Sequence, residues 1–384
     1  MKRRLLLGLI ATLCLPPKTP DCALAEELPI NLETLFTVDR KGFADPSGPW
    51  ELCLPEDLGA HHEYQTESWH FTGNLETREG RAFGLLLTLF RIGLVSDEAP
   101  PRTSAWATRE IYAGHLALTD VKRNRFYVDQ RISRAALGLS GAKSHPLRVW
   151  LEDWVLEASQ NSEQKPSLNL KASTEGVQIE LQLREVKPPF MPRANTQGSE
   201  REGPTTPFRS FSLPRLLASG VIKTAEGAFP VEGLVWIERA WGKVPIPVGQ
   251  LAFNRFLLQL DDGREFMGLQ LRRRDGTGVP IDSGLIVEPE GTIRHVDRKE
   301  LSIEALDYWS SRKDQTRYPV RWRVQIPTNL IDFVIIPSIP DQEIAFWPRY
   351  WAGSVRVVGT WKGKPLTGNG YVELMGYADS SPRG

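Results

Sequence analysis

The sequence predicts an all-β protein of the sandwich or barrel kind, on three observations. Sustained helical periodicity is nearly absent, and apolar residues recur instead in short alternating or continuous runs of strand length. Gly-bearing hairpin signals punctuate those runs, at 78–81, 261–264, 274–277, 288–291 and 361–364. The composition, with 12 Trp, 32 Gly and 29 Pro, favours sheets and turns over helical bundles.

The chain opens on a segment that reads as an address rather than as structure. Lys2, Arg3 and Arg4 precede the apolar run Leu5–Leu15, and Ala23-Leu24-Ala25 forms a small-x-small cleavage site before Glu26. This pattern predicts a secretory signal peptide over 1–25, cleaved after Ala25, and a periplasmic or secreted mature protein. The run is too short to span a bilayer, and Pro16, Pro17 and Pro20 break any helical continuation of it, so no membrane span is expected in the mature chain. Cleavage leaves 43 Lys and Arg against 46 Asp and Glu, a net charge of −3. No basic field remains to recruit nucleic acid. Cys14 and Cys22 are lost with the leader, so Cys53 cannot form an internal disulfide, and within Trp50–Leu54 it is expected to pack as a small hydrophobe.

The strands come in two series. Trp69–Leu75, Phe83–Ile92, Ile111–Leu118, Arg125–Ile132, Leu147–Leu156 and Val177–Val186 are first, then Phe208–Ile222 and Phe229–Trp241. The second series comprises Leu251–Leu260, Glu265–Arg272, Gly284–Glu288, Thr292–Val296, Tyr318–Ile326, Asp332–Ile336, Gly353–Trp361 and Gly370–Gly376. Residues 187–207 hold five prolines among polar residues and are predicted to be a loop. About 360 mature residues exceed the ~250–300 at which single cores stop growing, so two domains are expected. They are predicted over 26–245 and 246–384, divided in the Pro-containing stretch Val244–Gly249.

Half of the six histidines, His61, His62 and His70, fall at the start of the stretch 61–91. On an extended strand Glu67, Trp69 and Phe71 share one face and Ser68, His70 and Thr72 the other. A carboxylate on the Trp69 face needs a partner, which Arg91, His115 or Arg239 would supply. Two readings stay open: a structural ion-pair network, or a pocket acid with a raised pKa. The spacing of His61, His62, Glu67 and His70 fits no helical metal motif, so no metal is expected. His62 and His115 are read as hydrogen-bonding residues near a barrel mouth or interior. Trp69, Trp154 and Trp241 are candidates to line a ligand cavity. Nucleophile-elbow, phosphate-loop and dinucleotide motifs are missing from the sequence, and no cofactor is expected.

A series of motifs in order then carries a resemblance. Glu67-Ser68-Trp69-His70-Phe71-Thr72-Gly73 precedes Leu87-Thr88-Leu89-Phe90-Arg91 and His115-Leu116-Ala117-Leu118-Thr119-Asp120. Next come Trp150-Leu151-Glu152-Asp153-Trp154, Trp236-Ile237-Glu238-Arg239-Ala240-Trp241-Gly242 and Leu258-Gln259-Leu260-Asp261-Asp262-Gly263. The series closes on Tyr350-Trp351-Ala352-Gly353 and Gly370–Tyr377. From Trp50 to Tyr377 the chain resembles the AttH and carotenoid 1,2-hydratase (hydroxyneurosporene synthase) family.

The resemblance implies two consecutive lipocalin-like antiparallel β-barrel domains, a fold suited to enclosing one small lipophilic ligand. It also implies a site. In the hydratase branch a His-x-Trp pair assists protonation of an alkene; this chain keeps Trp241 but carries Arg239 for the histidine, Glu238 for an Asp and Ala240 for a Glu. Arginine cannot deliver a proton at ordinary pH. Phe253-Asn254-Arg255-Phe256 departs from a Gly-Trp-Asp-Trp pattern. The expected function is therefore that of an exported binder of a lipophilic small molecule, accessory to an ABC-type export permease of the kind AttH-like proteins are associated with. The alternative is a hydro-lyase of the carotenoid 1,2-hydratase type, or an isomerase or cyclase, using Glu238, Arg239 and Trp241. Ligand-binding candidates are His62, Glu67, Trp69, His70, Arg91, His115, Asp153, Trp154 and Asn254.

Overall fold

The structure, a computed structural model, describes residues 38, 40–96, 104, 107–159, 167–192, 208–243, 251–277 and 279–378. The leader at 1–25, most of the loop at 187–207 and the division at Val244–Gly249 lie outside these residues.

Two antiparallel sheets contain almost all of the regular structure. The first holds β1 (Thr66–Glu76), β2 (Ala82–Gly93), β3 (Glu110–Asp120), β4 (Arg125–Arg134), β5 (Ser140–Ser144), β6 (Leu147–Leu151), β7 (Trp154–Ala158), β8 (Ser167–Thr174), β9 (Val177–Glu185), β10 (Phe208–Thr224) and β11 (Gly227–Gly242). The second holds β12 (Leu251–Leu260), β13 (Glu265–Arg273), β14 (Ile281–Val287), β15 (Ile293–Val296), β16 (Ser302–Ser310), β17 (Arg317–Ile326), β18 (Ile331–Pro337), β19 (Glu343–Ile344), β20 (Tyr350–Trp361) and β21 (Lys364–Met375). In the first sheet the order runs β4-β3-β2-β1-β11-β10-β9-β8-β7-β6-β5; in the second, β15-β14-β13-β12-β21-β20-β18-β17-β16, with β19 on β20. Both are meanders whose first and last strands meet near the middle, as hairpin-connected sheets do when they curl.

Each sheet wraps its own apolar core. Trp69, Phe71, Leu87, Leu118, Leu170 and Trp241 belong to the first, and Phe256, Phe266, Trp322, Phe333 and Trp351 to the second. The glycines of the five predicted hairpin turns all adopt left-handed φ, between 75° and 96°, which is why glycine stands there.

Three differences from the sequence reading have physical reasons. The run Leu147–Leu156 is two strands, β6 and β7, because Glu152 turns left-handed at φ 60° and makes a hairpin of the Trp-Leu-Glu-Asp-Trp motif. Strands β5, β8 and β16 escaped notice: β5 is small and polar, and β16 carries register shifts between Ala305 and Tyr308 that break its alternation. Cys53 is exposed, not packed. Trp50, Leu52 and Leu54 turn inward against the first core, so the alternate residue Cys53 points out, its Sγ 3.4 Å from Glu56 Oε2.

The faces of β1 and β2 explain how the two sheets join. Odd residues of β1 (Trp69, Phe71, Leu75) enter the first core. Most of the even residues are covered by the second sheet, Glu76 at the strand end being exposed: His70 reaches Glu373, and Asn74 donates to Gly370 O at 3.1 Å. Leu86 and Ala117 pack there against Ile344, Tyr350, Ala352 and Tyr371. A strand buried on both faces reads as near-continuously apolar, as Phe83–Ile92 does.

Candidate functional site

The register of β1 decides what surrounds Glu67. It lies opposite Arg91 on β2 and Trp241 on β11, and Trp69 lies opposite Arg239. Arg91 Nε donates to Glu67 Oε1 at 2.5 Å, and Arg239 Nη2 donates to Oε2. The backbone N–H of His61 adds a third donor at 2.9 Å. All three side chains, Glu67, Arg91 and Arg239, are 0% exposed. Burial by itself would push the Glu67 carboxyl up; the Arg91 and Arg239 guanidiniums outweigh it and hold the group well below the usual carboxylate range. Of the two readings open for Glu67, the structure places the ion pair, and the pocket acid with a raised pKa is corrected: two cations and an N–H face this carboxylate.

The rest of the cluster serves the same pairing. Arg91 also donates to Glu110 Oε1 at 2.9 Å and to the carbonyls of His61 and Tyr64. Glu110 takes His62 Nδ1 at 2.6 Å and the Tyr112 hydroxyl at 3.1 Å. The Arg239 guanidinium lies 3.9 Å from the centroid of Trp69 and 5.3 Å from that of Trp241. The His61 ring stacks on Trp241 at 4.0 Å, with its Nδ1 3.4 Å from Arg239 Nη2 and its Nε2 2.9 Å from Asp57 Oδ1. The Trp69 face that would attract a cationic intermediate is therefore already occupied by a resident cation, and a face of Trp241 is covered by the His61 ring.

Period-two geometry divides the proposed catalytic trio. Arg239 and Trp241 face the first core, whereas Glu238, on the neighbouring position of the same strand, faces the second sheet and meets Arg255 Nη1 at 2.5 Å. His115 likewise lies on the outer face of β3 and is not a partner of Glu67. Its Nδ1 is 3.2 Å from the Tyr350 hydroxyl and its Nε2 2.8 Å from Gln130 Nε2. Burial lowers the His115 pKa to about 4.

Glu238 and His70 thus belong to a second polar cluster, at the junction of the sheets. Arg255 Nε donates to Glu373 Oε2 at 2.8 Å, and His70 Nε2 lies 2.8 Å from Glu373 Oε1. His70 Nδ1 is 2.7 Å from Thr88 Oγ1. Burial pushes the Glu373 carboxyl up, but Arg255 and His70 prevail and hold it at about 2. Arg255 and Glu373 were missed in the sequence. Their signals were a lone carboxylate inside Tyr371–Met375 and the one charged residue of the largely apolar strand Leu251–Leu260.

Three other candidates, Asp153, Trp154 and Asn254, lie apart from both clusters, whereas His62 joins the first through Glu110. Asp153 sits in the β6–β7 turn and holds Arg131 and Ser173, while Trp154 Nε1 donates to Ser173 O at 2.7 Å. His62 is a half-exposed partner of Glu110. Asn254 is buried in the second sheet, where its Nδ2 donates to Gln270 Oε1 at 2.8 Å. The sequence-predicted residues therefore fall into a Glu67–Arg91–Arg239 core, a His70–Glu238 junction and separate positions at Asp153 and Asn254.

Comparison with known proteins agrees with this architecture. A crystal structure provisionally described as an AttH from Nitrosomonas europaea superposes with a TM-score of 0.73 at 27% identity, covering 88% of this chain and all of that one. Kievitone hydratase from Nectria haematococca shares the fold, with a TM-score of 0.60 at 14% identity over 88% of this chain and 98% of its own. No curated protein matches the chain. The AttH-like family model matches residues 45–377, and the chain belongs to that family.

Proposed function

We propose that the protein binds a lipophilic small molecule and does not hydrate one. The observation that carries this reading is Arg239. Protonating an isolated alkene needs a strong acid beside a dry, cation-stabilising surface. At the position where the hydratases have histidine, this chain holds a fully buried guanidinium, paired with Glu67 and stacked on Trp69. Glu67 and Glu373, the central carboxylates of the two buried clusters, are both held ionised by arginines. Neither supplies a proton. What is left is the property common to curled, aromatic-filled sheets, the enclosure of an apolar molecule.

The reading extends to location and partner. The leader-like residues 1–25 support an exported protein that meets its ligand outside the cytoplasm, and the family resemblance supports an ABC-type export permease as the donor or acceptor of that ligand. The hydro-lyase alternative makes the opposite prediction for turnover. Full-length protein incubated with neurosporene in ¹⁸O-labelled water is expected to return the polyene unlabelled. A hydroxylated product carrying ¹⁸O overturns the proposal.

A further inference from the structure

The second sheet lays the tip of one hairpin across the first sheet. β19 and β20 pair through Ile344 and Tyr350, and the tip between them, residues 345–349, reaches the outer face of β3 and β4. There Trp347 and Phe90 pack against Ile92 and Ala113, and Gln130 Nε2 on β4 donates to Trp347 O at 2.6 Å. The His115 ring on β3 lies 5.7 Å from the Tyr350 ring and 6.4 Å from that of Phe346. Arg349 ties the tip back to its own sheet, its Nε donating to Glu343 Oε1 at 2.7 Å and its Nη2 to Asp314 Oδ1 at 2.9 Å.

A chain of hydrogen bonds runs from this tip through the junction, and its partners fix the direction of each bond. Gln130 presents its amide nitrogen to a carbonyl, so the same nitrogen donates to His115 Nε2 at 2.8 Å. Nε2 must then be bare, and the His115 proton sits on Nδ1, 3.2 Å from the Tyr350 hydroxyl. The far end gives the same direction independently. The Glu373 carboxylate can only accept, so His70 Nε2, 2.8 Å from its Oε1, carries the proton. Neutral His70 then accepts at Nδ1 from Thr88 Oγ1, at 2.7 Å. The Tyr350 hydroxyl, hydrogen-bonded to Thr88 as well, closes the chain by accepting from His115 and donating to Thr88.

The two histidines differ in what a second proton would meet. Glu373 stands beside His70 as a counter-charge. His115 faces Thr88 on β2, Gln130 on β4, Tyr350 on β20, and Phe346 and Trp347 at the tip, none of which is charged. The Trp347 carbonyl favours its cation, but burial outweighs it. A proton on His115 Nε2 would also set donor against donor at Gln130. Turning the Gln130 amide would set its oxygen against Trp347 O, acceptor against acceptor. Either arrangement breaks a polar contact between the tip and the first sheet, and leaves a buried cation without a partner.

We infer that the hairpin tip 345–349 is an acid-released latch: it closes the junction while His115 is neutral and lifts off β3 and β4 when His115 takes a proton, uncovering Ile92, Ala113 and Phe90. The His70 end stays docked, because Glu373 is there to pair with it, and Arg349 keeps the lifted tip on its own sheet. The latch works in the same way whatever the protein binds.

Maleimide labelling of the full-length protein carrying Ala113→Cys, read by peptide mapping, tests this, with the exposed Cys53 as the reference thiol on the same chain. The ratio of labelling at position 113 to that at Cys53 is expected to rise about tenfold or more between pH 7 and pH 5, because the lifted state lets His115 ionise near its ordinary value. Adding His115→Gln is expected to remove the rise. A ratio that does not respond to pH overturns the inference, as does a rise that His115→Gln leaves in place. A rise accompanied by loss of the far-ultraviolet strand signal reports unfolding and overturns it too. The wild-type chain gives an independent reading by imidazole nitrogen NMR at pH 7. His115 is expected to be protonated at Nδ1 and His70 at Nε2, and the opposite tautomer at either overturns the latch.

Discussion

Glu67 sits in the barrel interior because it shares a face of its strand with Trp69 and Phe71 and its own charge is met there by two arginines. A carboxylate buried this deeply costs several kcal/mol in desolvation, and its partners repay that only through near-complete hydrogen bonding. Breaking such a pair from one side is worse than removing it whole. Glu67→Gln, which leaves Arg91 and Arg239 buried and short of a counter-charge, is expected to lower unfolding free energy by about 3–5 kcal/mol in urea titration. A loss below about 1 kcal/mol, the size of an exposed pair, would contradict the structural role assigned to this cluster. The partner itself was legible in part. A carboxylate beside Trp69 demands a cation, and Arg91 and Arg239 were among three candidates; His115 was excluded only by knowing which face of β3 it occupies.

At the scale of elements, the strands and hairpin turns were legible because side-chain period and glycine placement are local properties. What a strand's second face meets is not local. β1, β2, β3 and β11 each bury that face against the second sheet, so His70, His115 and Glu238 became junction residues although their neighbours belong to the first core. The same alternation that separates Glu238 from Arg239 was available in the sequence. The destination of the Glu238 face, Arg255 on β12, depends on docking of two sheets far apart in the chain. The outer face of β3 has a measurable consequence. His115 has a folded pKa of about 4 against an ordinary value of about 6.5, so the unfolded chain takes up a proton that the native state refuses. Its stabilising contribution is complete above about pH 6.5 and is lost as pH falls toward about 4, amounting to roughly 3 kcal/mol. Replacing it by His115→Gln is expected to flatten the fall of the urea midpoint between pH 7 and pH 4. An unchanged pH slope would contradict the burial of a neutral imidazole between Tyr350 and Gln130.

Across the whole molecule, the buried polar chemistry that meets the candidate site is concentrated in two clusters. The Glu67 core is saturated with ion pairs. The junction, where Glu238 meets Arg255 and His70 meets Glu373, ties one sheet to the other through polar as well as apolar contact. A hydratase would need its reactive centre in the first of these, and that is where the arginines stand. A binder needs only an apolar enclosure and a few orienting groups. Native mass spectrometry of the full-length protein purified from its source cells tests this central claim most directly. The account predicts one apolar small molecule bound per chain. Protein that emerges without such an adduct, or that after incubation with neurosporene carries an adduct heavier than neurosporene by one water, would contradict it.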